Sequence, residues 1–378
     1  MKLEYLADVI NSLACPETKM PLKLVSLEEA ERRAGGSLVP SAQARNAQGK
    51  PSNPVGRTPW VLLRADLNCA YPVVEGIPIL LAPESLTSGG CRRAPDLTDA
   101  RYAEAYLEMA FYNEVASQEA RDITRSESYT LVAGALGASQ AERDAFPHPK
   151  ERWIDSVYDC FAQWDCYRHL SPIQDRLVLQ LGGKGTHAVK LLLAGAEEAW
   201  VVTPMLGEAL CAQALAEEVG VGDRLRCIVG VAEELPIRTD AVDAICSGGC
   251  LHHMQTEMAL PEAARVLREG GRFAAMDPWR APLYSLGTKI FGRREPAESV
   301  FDRPLTKARV EPVWGAFHKA AVVQHGALTR YPLIALSKLG VSCSLSVAWH
   351  LGSVDDAVCS FVPRMRGMGS SVAVLGTK

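Results

Sequence analysis

Leu177–Gly185, LVLQLGGKG, has the pattern of a buried strand running into a glycine turn, and the expected architecture of the chain follows from it. Leu177, Val178, Leu179 and Leu181 make the apolar run of a buried strand, which breaks into a glycine turn at Gly182, Gly183 and Gly185 before a helix over about 186–194. Glycine at such a turn lets the backbone pass close to a ligand, and the free N–H groups of a helix start favour negative or polar ligand atoms. The shape is that of a nucleotide-binding strand and turn, without the acid expected in it. Many strand-to-helix glycine turns bind nothing, so the weight falls on what surrounds this one.

Downstream, strand and helix alternate: LVLQL, a helix, AWVVT, a helix to Glu218, LRCIVG, a turn, AVDAICSG, a helix from about Pro261 to Arg268, and GGRFAAMDP. Alternation at this spacing predicts an α/β fold, a doubly wound, mostly parallel Rossmann-like sheet with helices on both faces and ligands at the carboxyl ends of its strands. SVAVLGT, residues 371–377, reads as a last strand, with an antiparallel hairpin closing the sheet edge. Upstream, residues 91–170 read as a helical cap, because RYAEAYLEMAFYNEVASQEA and, after Pro147-His148-Pro149, ERWIDSVYDCFAQWDCYRHL both hold helix periodicity. Residues 1–90 read as a small β-rich module around a polar insertion at about 35–58, which leaves 171–378 as the ligand-binding domain.

Composition narrows the function classes. At 378 residues, 48% hydrophobic and 22% charged, the chain suits a globular enzyme of more than one domain and no disorder class. With 40 Lys+Arg against 44 Asp+Glu the net charge is −4, which supplies no general attraction for nucleic acid or an anionic membrane and leaves a small neutral or amphoteric molecule as the ligand class. The N-terminus carries acids in its first helix-like run and no signal-type apolar core, and no 18-residue apolar run occurs, so a cytoplasmic protein without a membrane anchor is expected. The 11 scattered cysteines suit reduced core thiols better than a disulfide framework.

Four segments taken in order carry a family resemblance: the glycine turn, AWVVTPM, VGVAEELPI, and AVDAICSGGCLHHM followed by EAARVLREGGRFAAMDP. Over about residues 160–280 they resemble the class I S-adenosylmethionine (SAM)-dependent methyltransferases. The resemblance implies SAM as cosubstrate, with Gly182, Gly183 and Gly185 close to the ligand, Thr203 and Met205 at the ribose, Ala232 and Glu233 at the adenine, and Ser247 and Gly248 beside the methionine part. Three departures share a theme. The acid usual near the start of the glycine motif is Gln180 here, the acid usual at the second strand end aligns with Thr203, and the acid that often faces the adenine amine aligns with Val231. Each removes a charge-assisted hydrogen bond of about 1.5–3 kcal/mol. Glu208, one turn beyond Thr203, is the expected substitute at the ribose, and Glu233 or Glu234 at the adenine edge.

The N-terminal module is similar to the small zinc-ribbon-like family that partners transfer-RNA methyltransferases, through Cys15-Pro16, Pro21-Leu22 and the run Tyr71–Leu81. Metal-binding members carry paired cysteines. Cys15 and Cys69 stand singly here, so two of four sulfur ligands are missing and a module without zinc is expected.

A sulfonium attracts aromatic faces by about 0.5–2 kcal/mol. Of Tyr106, Phe111, Tyr112, Trp153, Tyr158, Phe161, Trp164 and Tyr167, most read as core; Tyr112, next to Asn113, is the expected cofactor contact, with Tyr158 and Trp164 behind it. His252 and His253 follow the fourth strand, where an acceptor approaches, and a neutral imidazole suits deprotonation of that acceptor; loop packing is the competing reading, and His253 is expected to face the pocket less than His252. Asp277 and Arg280 are expected at the pocket mouth, and His325 and Arg330-Tyr331 at a lid. No third ligand beside the histidine pair points to a metal. The leading reading is an enzyme that aligns SAM with a small metabolite for methyl transfer. Alternatively, the amine of SAM attacks its own γ-carbon to give azetidine-2-carboxylate and methylthioadenosine, with Gln180, Asn113 and Tyr112 as partners. The third reading is a non-catalytic partner protein.

Overall fold

Short apolar runs divided by Gly, Pro and Asp turns build the N-terminal sheet of the computed structural model, which describes residues 6, 9–40, 58–66, 69–88, 100–282, 304–341 and 343–378. Most of the first helix-like run, most of the polar insertion and residues 283–303 lie outside the described residues, as does the side chain of Phe111. Strands β1 (Leu22–Ser26), β2 (Leu38–Pro40), β3 (Trp60–Arg64), β4 (Cys69–Val74), β5 (Ile77–Pro78) and β6 (Leu86–Ser88) pair antiparallel in the order β1-β3-β4-β6-β2, with β5 on β4. Glu75 and Gly76, both left-handed, turn β4 back into β5. Helix α1 (Leu27–Ala34) starts on the Ser26 hydroxyl, which accepts from the Glu29 N–H at 3.2 Å, and stops at left-handed Gly35. Cys15 and Cys69 are both buried, and the Cys15 thiol lies 3.1 Å from the Tyr71 hydroxyl.

Seven further strands form the main sheet: β7 (Leu177–Leu181), β8 (Glu198–Thr203), β9 (Leu225–Val229), β10 (Val242–Gly248), β11 (Leu267–Pro278), β12 (Lys319–His325) and β13 (Ser371–Thr377). Their order is β12-β13-β11-β10-β7-β8-β9, with β7 to β11 mutually parallel and β13 antiparallel to both β11 and β12. This is the doubly wound sheet expected from the alternation, closed at one edge by the antiparallel pair. The order reverses between β7 and β10, and a ligand cleft opens at such a switch point.

Alternate residues of each strand fill two cores. On one face Val178, Val201, Cys227, Cys246 and Ala274 pack against the longer helices α2 (Ala100–Arg121), α3 (Cys160–Leu170), α4 (Thr186–Leu193) and α5 (Leu206–Glu218). On the other, Leu179, Trp200, Ile228, Ile245 and Phe273 pack against α6 (Thr256–Val266) and against Leu13, Leu62, Tyr71 and Leu80 of the N-terminal region, so the N-terminal sheet covers part of the second face. Helix α6 starts five residues earlier than the apolar pattern suggests. Pro261 lies inside it, and β11 begins at Leu267 where a continued helix was expected.

The N-terminal region also holds the segment after β9. Leu80 N–H donates to Val229 O at 2.7 Å, Ala14 N–H to Pro236 O at 3.1 Å, and Arg238 N–H to Ser12 O at 2.9 Å. Lys19 adds a bond to Leu235 O at 3.1 Å and an ion pair with Glu262 at 2.9 Å. After β12, helices α7 (Arg330–Lys338) and α8 (Leu345–Phe361) precede β13. No helix among the described residues is long and apolar enough to cross a membrane.

Candidate functional site

A cavity opens where β7 to β10 end. Gly182 and Gly183 line it from the glycine turn, Val202, Pro204, Met205 and Glu208 from β8 and α5, Gly230, Val231, Ala232 and Glu233 from the loop after β9, and Gly249, Cys250, His253 and Met254 from the loop after β10. Ala105 and Tyr112 of α2 close it from above.

The turn depends on glycine for two separate reasons. Gly182 and Gly183 both have φ of 74° and Gly185 has 79°, where a side chain is strained. In addition, a Cβ on Gly182 would stand 2.8 Å from the Cys250 side chain, and one on Gly185 2.5 Å from Ala212 Cβ in α5. Gly185 therefore serves helix packing and lies outside the cavity lining, contrary to expectation. A Cβ on Gly183 would meet its nearest protein neighbours at 3.5 Å and 3.7 Å, ordinary contact distances, so a substitution there acts through backbone strain and by entering the cavity.

Gln180, read from the sequence as the replaced ligand-binding acid, does not line the cavity. Its buried amide is engaged at both ends: Nε2 donates to Gly182 O at 2.8 Å, and Oε1 accepts from Ala188 N–H at 2.7 Å. It fixes the turn and caps α4. Thr203 is also withdrawn from the lining and faces Glu208 instead.

Glu208 brings an acid into the cavity lining beside the end of β8. It sits in the first turn of α5, where the helix dipole favours negative charge, and its carboxylate reaches the cavity between two donors, the Thr203 hydroxyl and the Gly183 N–H. Burial pushes its carboxyl above the usual range, against the lowering effect of the Thr203 hydrogen bond. The expectation of a displaced acid named this residue. Glu233 also lines the cavity, with Oε1 accepting from Gln255 N–H at 2.7 Å ahead of α6. Glu234 turns away to Tyr102 and to Arg101, the latter at 3.1 Å.

Three polar contacts fix α2 over the cavity. Tyr102 donates to Glu234, the Asn113 carbonyl Oδ1 accepts from Gly207 N–H at 2.6 Å at the start of α5, and Glu119 pairs with Lys184 of the glycine turn while accepting from Ser128 Oγ at 2.8 Å. Asn113 is thus a helix anchor outside the cavity, which corrects its reading as a catalytic partner. Tyr112, on the same turn, is in the lining.

The histidine pair is placed in the reverse of the expected order. His253 lines the cavity; His252 is buried and turned onto Asp277, its Nδ1 at 2.7 Å and its backbone N–H at 3.0 Å from the same Oδ1. The two imidazoles lie 3.9 Å apart between centroids. Asp277 is only 2% exposed and holds His252 from behind, so it is not at a pocket mouth. Ser247 and Gly248 are outside the lining as well: Ser247 Oγ is buried without a hydrogen-bond partner among the described residues, and Gly248 lies under His187. Arg280 is exposed on the surface. Tyr158, His325 and Arg330 line a second, smaller cleft with Asp159 and Phe161, and Trp164 packs between His148 and Trp349.

The sequence reading missed Val202, Pro204, Gly230, Gly249, Cys250, Met254 and Ala105 in the lining. All but Ala105 and Met254 lie within two residues of a strand end, which was the available signal. Among the lining residues the ionisable groups are Tyr112, Glu208, Glu233, Cys250 and His253, and no Lys or Arg is among them.

Residues 179–275 match the family of the methyltransferase domain. An uncharacterized methyltransferase of Mycobacterium tuberculosis is 31% identical over 151 residues, 39% of this chain and 52% of that protein, so the chain spans about half the length of the curated relatives it matches. Among solved structures, the cyclase SpnF is 21% identical with a TM-score of 0.39, covering 56% of this chain and 77% of that one. Geranyl diphosphate C-methyltransferase of Streptomyces coelicolor A3(2), solved with Mg2+, geranyl diphosphate and S-adenosyl-L-homocysteine, is 15% identical with a TM-score of 0.41, covering 71% of this chain and 98% of that one.

Proposed function

We propose that this chain, which carries a methyltransferase domain over residues 179–275 and takes S-adenosylmethionine as cosubstrate, methylates a small molecule, and that Glu208 receives the ribose of SAM. The observation that carries this reading is the charge of the lining. Two acids, one histidine and no Lys or Arg suit a cation that presents hydroxyl and amine donors, and the two acids disfavour a dianionic pyrophosphate. A carboxylate oxygen accepts more than one hydrogen bond, so Glu208 retains capacity for hydroxyls beside its contacts with Thr203 and Gly183.

Val231 and Ala232 offer an apolar edge and backbone groups to the adenine, with Glu233 beside them, and Tyr112 offers a ring face to the sulfonium. Bound SAM supplies an activated methyl group on sulfur. The protein's part is to exclude water beneath α2, to hold the acceptor in line, and to take its proton, for which His253 is the imidazole in the lining and the His252–Asp277 pair its support. The backbone hydrogen bonds from the N-terminal region to residues 229–238 brace the adenine side, which gives that region a role within this chain. Of Gln180, Asn113 and Tyr112, the partners that self-cyclisation of SAM would use, the first two are committed to backbone groups and Tyr112 is in the lining.

The test is thermal unfolding with SAM, S-adenosylhomocysteine or NAD, followed by incubation with SAM alone and mass spectrometry. The two adenosyl ligands are expected to raise the melting temperature at about 100 times Kd by the equivalent of roughly 2.7 kcal/mol, and NAD is not. No shift at millimolar SAM overturns the reading. Methylthioadenosine formed without an acceptor replaces methyl transfer with self-cyclisation.

A further inference from the structure

His187, the second residue of α4, has no place in the site as described above. Its Nδ1 lies 2.7 Å from the Tyr167 hydroxyl. Its Nε2 overhangs Gly248, where a Cβ would stand only 2.1 Å from it, and meets no hydrogen-bond partner among the described residues. Gly248 ends β10, and the next residue, Gly249, lines the cavity. His187 as a residue is partly buried, and its ring stands where the glycine turn and the end of β10 converge.

The buried network behind the ring decides which nitrogen carries the proton. Gln163 Oε1 accepts from the backbone N–H groups of Asp155 at 3.1 Å and Ser156 at 3.0 Å, which fixes its amide orientation. Its Nε2 therefore donates, to Asp155 Oδ1 and to the Tyr167 oxygen at 3.4 Å. Tyr167 accepts there and directs its own proton at His187 Nδ1. That nitrogen is then the acceptor, and the hydrogen of the neutral ring resides on Nε2, pointing past Gly248. Lys190, buried and 2.5 Å from Asp155 Oδ1, locks the carboxylate at the far end of this chain of bonds. Burial pushes the imidazole down to about 4, so it stays neutral.

We infer that His187 is a ligand-positioning residue whose Nε2–H donates to the carboxylate at the amino-acid end of the adenosyl ligand, an anionic group for which the cavity lining offers no Lys or Arg. The inference rests on the ligand reading above. Gly248 is then glycine because the ring occupies the space of its side chain, and the turn needs no acid at Gln180 for this purpose.

Two ligands separate the inference from that reading. S-adenosylhomocysteine carries the amino-acid end; methylthioadenosine shares the adenosine and thioether and lacks it. By titration calorimetry, His187→Ala is expected to weaken S-adenosylhomocysteine about tenfold, the size of one charge-assisted hydrogen bond, and to leave methylthioadenosine unchanged. His187→Asn, which keeps a donor, is expected to retain part of the affinity. Tyr167→Phe, which frees the tautomer, is expected to cost several-fold for S-adenosylhomocysteine alone. Equal losses for both ligands, or none, in His187→Asn and Tyr167→Phe variants that melt cooperatively overturn the inference. If the unaltered protein binds neither ligand, the ligand reading itself has failed.

Discussion

Replacing Glu208 by glutamine tests the proposed contact between the ligand and the acid in the first turn of α5. The substitution keeps shape and removes charge. In the folded protein the carboxylate accepts from Thr203 and Gly183 and faces the cavity, where the proposed ribose adds two hydroxyl donors. A neutral acceptor makes each of those ligand bonds weaker by roughly 1–1.5 kcal/mol, so the loss is about 2–3 kcal/mol, or roughly thirty- to 150-fold in Kd for S-adenosylhomocysteine. The unliganded protein responds with the opposite sign. Because burial raises the folded carboxyl above its ordinary value of 4.5, the folded state holds a proton that the unfolded chain has released as pH rises past that value. Ionising Glu208 therefore costs stability on the alkaline side, and Glu208→Gln is expected to gain stability relative to the unaltered chain as pH rises from 5 to 8. Calorimetric titration and chemical denaturation at the two pH values measure both halves. An affinity within threefold of the original at pH 8 refutes the placement of Glu208 at the ligand.

Gly185→Ala is expected to destabilise by about 2–4 kcal/mol in urea unfolding, combining the left-handed backbone at 79° with overlap on Ala212. Lys190→Met leaves Asp155 buried without its cation and is expected to cost about 3–5 kcal/mol; adding Asp155→Asn should recover part of it, and additive losses would show that the pair does not interact. His253→Ala is expected to lower turnover at unchanged melting temperature, whereas His252→Ala lowers stability by stranding Asp277; the reverse pattern contradicts their placement. The depressed His187 imidazole binds its proton more weakly folded than unfolded, so stability is expected to fall between pH 6.5 and 4 by at most about 3 kcal/mol, and His187→Asn to flatten that slope.

The main sheet was legible because each of its central strands is buried on both faces and is written as an apolar run closed by glycine or proline. The position of α6 was less so: Pro261 reads as a helix start, yet α6 accommodates it one turn after its own beginning at Thr256. At the site, backbone-defined features followed directly from the sequence. Gly182 and Gly183 line the cavity, and so do Met205, Ala232 and Glu233 at their strand ends. Features set by side-chain direction did not follow. His252 and His253 are adjacent, and nothing in their spacing shows which one Asp277, far along the chain, draws away from the cavity. Asn113 and Tyr112 are adjacent too, and the packing of α2 on Gly207 decides that the first anchors and the second faces the cavity.

The same distinction accounts for the missing acids. An acid at the end of β8 would hang from extended backbone, where only its own residue fixes it. Glu208 hangs from the first turn of a helix, with the dipole behind it and the Thr203 hydroxyl and Gly183 N–H on either side, so its position is fixed by three elements at once. That arrangement demands a hydroxyl at position 203, since a second carboxylate there would face Glu208 across a hydrogen-bond distance and force one of the two to stay protonated. Thr203 and Glu208 thus act as one unit, the hydroxyl of the first holding the carboxylate of the second. Gln180 follows the same logic: with both ends of its amide on the backbone it keeps the turn's shape without charge, and a glutamate there would accept from Ala188 N–H but present a second acceptor to Gly182 O. The chain gives up charge where it shapes the turn and keeps it at Glu208, in the cavity lining.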